Sequence, residues 1–251
     1  LNRLDKIKKD IINFNPDVII HLAWQGIPDY SEKISKLNLE TSIVFFDFLF
    51  KETRCKKILS SGSCWEYGRN NGPCKENDKE YINSYFTWAK HSLNNYLKVK
   101  CKENGIIFNW FRFFYVYGPG QKEESLMPTL IKSIILKQIP DIKTPLNKND
   151  FVYVENVAEI ISKAVNKDIE SGTYNIGTGI STSVYEVSRI IENKLLNTES
   201  ISKAVLNNSD KTCNVDFWAD VQKTNDALGE NCNISIKEGI NKYLSLRNLG
   251  I

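Results

Sequence analysis

Histidine is nearly absent from this chain: His21 and His91 are the two in 251 residues. The six cysteines, Cys55, Cys64, Cys74, Cys101, Cys213 and Cys232, are scattered and form no C-x-x-C pair. These shortages exclude a zinc site of the usual spacing, so no metal is expected. They point to free thiols in a reducing cytoplasm. Long apolar runs are missing too. The longest, IVFFDFLF (Ile43 to Phe50), contains Asp47 and is far too short to span a bilayer, so no membrane role is expected. The opening residues LNRLDKIKKD have no apolar core of the kind a secretory leader carries. Excess charge of one sign is also lacking, since 33 Lys+Arg against 30 Asp+Glu leave +3. With no basic stripe interleaved with aromatics, nucleic acid is not an expected partner. There is no internal repeat and no low-complexity segment.

What is present is an ordinary globular composition, 41% hydrophobic and 25% charged, long enough for one large domain with or without a smaller lobe. Helical spacing in LDKIKKDIINF gives way at Pro16-Asp17 to a buried-strand run, Val18-Ile19-Ile20. A helix is expected over about 32–51, a second strand at KKILSS, a loop over about 62–81 and a helix over about 85–103. A third strand follows at GIIFNWFRFF. Strands with continuous apolar runs, alternating with helices, predict an α/β fold with a parallel sheet covered on both faces. Ligands of such sheets bind at the carboxyl ends of the strands. Those ends are HLAWQG, SSGSCWEYG and FYVYGPGQ. Beyond Gly120, helices are expected at SLMPTLIKSIILKQ, STSVYEVSRIIENKL and SIKEGINKYL. DFVYVENVAEIISKAV reads as a strand leading into a helix, and GTYNIGTG as a strand ending in a Gly-rich turn.

In this order the pieces resemble the NAD-dependent epimerase/dehydratase family, the nucleotide-sugar branch of the extended short-chain dehydrogenase/reductases. PDVIIHLAW is similar to that family's strand ending in His-x-Ala, and KLNLETSIVFFDFL places Asn38 at the family asparagine. ILSSGSCWEYG matches its Ser-Ser…Tyr-Gly loop. FRFFYVYGPGQ matches its Arg-x-x-Asn-x-Tyr-Gly-Pro-Gly turn with Tyr115 in place of Asn. NDFVYVENVAEII, TYNIGTG and DVQKTNDALGENCNISIKEGI match later landmarks, so the resemblance spans nearly the whole chain. It implies a Rossmann-type doubly wound sheet. The remainder of an NAD(P)-binding domain is expected over 1–118. A smaller lobe that binds a nucleotide-diphosphate sugar is expected over 119–251, with some segments returning to the sheet. The family's opening strand and GxxGxxG turn have no counterpart, the first glycine being Gly26. An N-terminally truncated chain is therefore the expectation.

The resemblance also assigns roles. A Tyr phenol, its pKa lowered by a Lys four residues on, moves a proton on the sugar oxygen while a hydride passes between sugar and nicotinamide. Lys90 fits the lysine. Ser63, five residues before Gly68, has the spacing of the catalytic hydroxyl, with Gly62 or Ser61 as alternatives because the loop is one residue longer. Phe86 stands at the Tyr position, and a phenyl ring carries no proton. Tyr85 is one residue out of register, and Tyr67, Tyr115 and Cys64 are other acids near the strand ends. The cofactor, NAD or NADP, is expected at Leu22, Ala23, Asn38, Ser61, Lys90 and Phe113. The nucleotide sugar is expected at Tyr115, Ser125, Leu126 and Asn149, the last replacing an Arg that binds phosphate. Cys64-Trp65 stand where the family's 4,6-dehydratases carry Asp-Glu, and Glu66 comes one position too late. A 4-keto-sugar reductase or an epimerase is therefore implied, not a 4,6-dehydratase. The alternative is a degenerate member that binds without turnover. Family members pair through the helices carrying Asn38 and Lys90. IVFFDFLF suits such a homodimer face and equally a sheet-packing face.

Overall fold

The computed structural model describes residues 4–68, 71–210, 212–229 and 232–247, so Glu230 and Asn231 of the last landmark segment lie outside the described residues. The elements in chain order are α1 (Leu4–Phe14), β1 (Val18–His21), α2 (Glu32–Glu52), β2 (Lys57–Ser63), a 3-10 turn (Cys64–Tyr67) and β3 (Asn71–Cys74). Next are α3 (Tyr85–Glu103), β4 (Ile107–Phe113), β5 (Tyr115–Tyr117), α4 (Leu126–Ile135), β6 (Lys148–Asn149), β7 (Phe151–Tyr153) and α5 (Val154–Asn166). The chain continues through β8 (Gly172–Ile176), β9 (Thr182–Ser183), α6 (Val184–Leu196), α7 (Ser200–Asn207), β10 (Asp216–Ala219), α8 (Gln222–Leu228) and α9 (Ile236–Leu246).

Two compact units result. The first comprises Leu1–Gly68, Glu76–Phe113 and Ile161–Asn175; the second comprises Arg69–Lys75, Phe114–Ile160 and Ile176–Ile251. The first is built on a sheet in the order β1-β2-β4-β8. β1 runs parallel to β2, with His21 opposite Ser60, and β2 runs parallel to β4, with Ser63 opposite Phe113. Parallel pairing brings the carboxyl ends of these strands to one edge, where ligands of open α/β sheets bind. α2 and α3 pack together on the sheet: Phe46 and Leu49 from α2, Leu93 and Leu97 from α3, and Ile58, Phe108 and Trp110 from the strands form one core. α3 begins at a reciprocal cap in which Ser84 and Thr87 satisfy each other's backbone N–H groups. The apolar stretch of α2 divides its faces, with Phe46 and Leu49 in the core and Val44 exposed.

Lys57 closes the other end of β2. Its buried ammonium donates to the carbonyls of Ala164, Val165 and Lys167 at 3.2, 3.1 and 3.1 Å and pairs with Asp168 at 2.7 Å. It thereby satisfies carbonyls that the C-terminus of α5 leaves open. Lys57→Met is expected to lower stability by about 2 kcal/mol in urea unfolding, because the carbonyls lose a charged donor. An unchanged midpoint would show the cap to be dispensable.

The second unit holds a sheet in the order β3-β10-β6-β9 and the parallel pair β5-β7. The stretch expected as a loop over 62–81 contains the end of β2, the 3-10 turn and β3. Gly62 and Ser63 extend β2 because β4 continues opposite them. β3 forms because β10, far along the chain, pairs with it. α7, α8 and β10 are further elements, beyond those expected from the sequence. Asp150 anchors this unit. Its buried carboxylate accepts from Thr178 N and Oγ1 at 2.7 and 2.6 Å, Gly179 N at 2.9 Å and Ala219 N at 3.1 Å.

Candidate functional site

At the carboxyl end of β2, Ser60, Ser61, Gly62 and Ser63 succeed one another. The buried Lys90, on the second turn of α3, donates to the Ser61 carbonyl at 2.7 Å and to the Ser61 hydroxyl at 3.2 Å. Two turns of one helix and one strand end thus fix the lysine. Burial lowers the Lys90 pKa to about 7, against an opposing pull from the Glu66 carboxylate. The ammonium also stands 4.0 Å from the centre of the Trp24 ring, a cation–π distance.

Ser63 follows Ser61 by two residues, so their side chains share one face of the strand. The Ser63 hydroxyl accepts from Trp65 N at 3.2 Å, and the Ser63 N–H donates to Glu66 Oε1 at 2.7 Å. This reciprocal cap opens the 3-10 turn and holds Ser63 in place. The alternative position, Gly62, carries no hydroxyl, and a Cβ there would lie 2.3 Å from Trp110 Nε1. Among the three, Ser61 touches Lys90.

Phe86 lies one turn before Lys90 and is buried in a group of rings. Trp24, Tyr30 and Trp65 stand 5.6, 5.2 and 5.8 Å from it, centre to centre. Tyr85 points the other way: it is 51% exposed and shares an open cleft with Glu32, Lys36 and Trp88. Tyr67 is fully buried and donates to Asn175 at 2.6 Å, and burial raises its pKa far above the ordinary phenol value.

The remaining cofactor positions surround this point. Leu22 and Ala23 are exposed after β1, and Phe113 ends β4 opposite Ser63. Asn38 is buried on α2, where its amide donates to the carbonyls of Gln25 at 2.9 Å and Ile34 at 2.8 Å. Its oxygen accepts from Gln25 N at 2.7 Å. Asn38 therefore clamps the loop that carries Trp24. Buried His21 bridges Ser60 (3.2 Å) and Ser42 (3.4 Å). Burial, followed by the Lys90 charge, lowers its pKa to about 4.

The four substrate positions belong to the second unit. Tyr115 packs on Phe151 and Phe217, and Leu126 packs against that unit's core. Asn149 is buried on β6. Ser125 caps α4 without a side-chain hydrogen bond to it.

Two features escaped the sequence reading. Trp24 follows His-x-Ala directly, but its packing on Lys90 needs two segments distant in the chain. Glu66, noted only as misplaced, proves to be a buried anchor bonded to Ser63 N, Trp110 and Arg112. Among the described residues, no cluster of three or more His, Cys, Asp or Glu side chains is arranged to hold a metal.

The family model for the NAD dependent epimerase/dehydratase family matches residues 2–177. Protein CapI of Staphylococcus aureus is 26% identical over 78% of this chain, which spans 66% of that protein's length. A dTDP-4-dehydro-6-deoxyglucose reductase of Escherichia coli is 27% identical over 96% of this chain and 78% of its own length. Among solved structures, a UDP-glucose 4-epimerase of Thermotoga maritima superposes with a TM-score of 0.79 at 20% identity, covering 98% of this chain and 82% of its own. These structural likenesses establish a Rossmann-type fold.

Proposed function

The chain belongs to the NAD-dependent epimerase/dehydratase family, and from that premise we propose that it acts on a nucleotide-diphosphate sugar as a 4-keto-sugar reductase or an epimerase that uses NAD or NADP. One observation carries this reading: Lys90 is bonded to Ser61 at the end of β2, two residues from Ser63. In this reading Ser63 donates a hydrogen bond to the sugar oxygen, and Lys90 supplies positive charge beside the reacting centre. Leu22, Ala23, Asn38, Ser61, Lys90 and Phe113 would hold the dinucleotide, which supplies hydride chemistry when bound. Tyr115, Ser125, Leu126 and Asn149 would hold the nucleotide sugar. The similarity to a deoxysugar reductase supports the class of substrate. Elimination of water is disfavoured because Cys64 is buried, Trp65 carries no acid and Glu66 is tied to Arg112. Exposed Val44 on α2 and Val99 on α3 support pairing of two copies through these helices. Among the described residues no helix is long and apolar enough to cross a membrane. The free cysteines support a cytoplasmic setting.

A second reading, a binder without turnover, is favoured by Phe86, which fills the Tyr position with a ring buried among other rings. The two readings separate in one assay. The full-length protein, mixed with reduced nicotinamide dinucleotide and a nucleotide-linked 4-keto-6-deoxysugar, is expected to consume the dinucleotide. Ser63→Ala is expected to slow it about 100-fold. Absence of turnover in the wild type, with turnover restored in Phe86→Tyr, would establish the binder. Loss of turnover in Tyr85→Phe would assign the proton to Tyr85 despite its exposure.

A further inference from the structure

A lysine ammonium has three N–H donors. In Lys90 two bonds go to Ser61, at 2.7 and 3.2 Å, and the Trp24 ring covers the ammonium at 4.0 Å. Trp110 and Phe86 stand further off, at 5.8 and 6.0 Å, so aromatic faces enclose the group. Lys90 is 3% exposed. As placed, no face of this ammonium is open to a ribose diol, so the lysine and the group it is expected to hold do not fit while Trp24 keeps its position.

Trp24 packs against the edge of the first unit's core. It is half-buried, on a loop whose neighbours Leu22, Ala23, Gln25, Gly26 and Ile27 are exposed. The backbone is clamped immediately after it, at Gln25, by Asn38. The ring meets Phe86 edge-on at 5.6 Å. A phenol at position 86 would place a hydroxyl in this ring cluster; phenylalanine leaves the contact wholly apolar. With the backbone clamped at Gln25 and the flanking residues exposed, rotation of the indole away from the core edge is the movement that would uncover the ammonium.

Resting on the dinucleotide reading, we propose that Trp24 is a further residue of the cofactor site: its indole holds the Lys90 ammonium in the place of a ribose diol and turns off that ammonium when the diol binds. The indole competes with the ligand for one cation. Removing it should therefore tighten binding, whereas removing an ordinary stacking residue would weaken it.

The test uses the full-length protein and NADH as the probe, with wild type, Trp24→Phe, Trp24→Ala and Lys90→Met, each checked for folding by circular dichroism. Isotope-labelled lysine reports the Lys90 ε-methylene, which is bonded to the Nζ that stands 4.0 Å from the indole centre and is expected to be shifted upfield by its ring current. The upfield signal is expected in the wild type, is lost in Trp24→Ala and Lys90→Met, and moves downfield when NADH is added to the wild type. Trp24→Ala is expected to bind NADH roughly tenfold more tightly than the wild type, with Trp24→Phe between them. The proposal is overturned if the wild type shows no upfield signal, if NADH binds and leaves that signal in place, or if Trp24→Ala binds no more tightly. If the signal is present but no variant binds NADH, the dinucleotide reading falls and takes this proposal with it. Binding without movement of the signal leaves that reading standing and removes the indole's role alone.

Discussion

Arg112→Met is expected to destabilise the protein by about 3–5 kcal/mol, enough to remove much of the stability of an ordinary domain. The Arg112 side chain is fully buried. Its Nε donates to Glu66 Oε2 at 3.0 Å, its Nη2 pairs with Glu80, and its plane lies 4.5 Å from the centre of the Tyr67 ring. Methionine fills a similar volume but leaves the Glu66 carboxylate buried with only neutral donors, Trp110 Nε1 at 3.0 Å and Ser63 N at 2.7 Å. The cost lies in the uncompensated charge. Arg112→Met/Glu66→Gln should therefore recover more than half of the loss, which a simple packing defect would not do. Denaturant unfolding of the four proteins of this cycle measures it. A single-variant loss under 1 kcal/mol, or a double variant no better than Arg112→Met, would remove the ion pair from the account. Glu66 also fixes Ser63 N, so the loss extends from stability to the position of the candidate catalytic hydroxyl.

Stability is expected to fall by about 3 kcal/mol as pH drops from about 6.5 to about 4, through His21. The folded protein keeps this imidazole neutral, since burial and then the Lys90 charge lower its pKa from 6.5 to about 4. Between these values the unfolded chain binds a proton that the folded chain does not, and stability therefore declines with falling pH. Below about 4 both states are protonated and this contribution stops changing. Lys90 acts in the same direction on the alkaline side. Its pKa falls from 10.5 to about 7 on burial, so between those values the unfolded chain again holds the extra proton and stability rises with pH. His21→Gln should flatten the acidic limb, and Lys90→Met the alkaline one. Lys90→Met should also raise the His21 pKa, read from its ring-proton shifts. Stability curves of wild type and His21→Gln that run parallel from pH 4 to 6.5 would show that His21 carries no such linkage.

The parallel sheet was legible because its strands are continuous apolar runs bounded by Pro, Asp and Gly, and the order of motifs pointed to the family. Lys90 and Ser63 were singled out by the resemblance to the family, which could be carried onto them because a helix and a strand end keep the order of their residues. β3 and β10 were not expected from the sequence, because β3 forms by pairing with β10, and β10 by pairing with β3 on one side and β6 on the other. Tyr85 shows the limit of reading by register. One step along α3 turns a side chain by about 100°, enough to separate a buried Phe86 from an exposed Tyr85.

By itself, then, the sequence determined the class of fold, the family and the strand ends that carry the candidate site, because these follow from patterns local to each segment. Only the tertiary structure decided what surrounds Lys90. Trp24 comes from the loop after β1, Ser61 from β2, Phe86 from α3 and Glu66 from the turn beyond Ser63, and none of these segments specifies its neighbours. The charge and accessibility of one lysine depend on which groups exclude water from it, and that is a property of packing between segments remote in the chain.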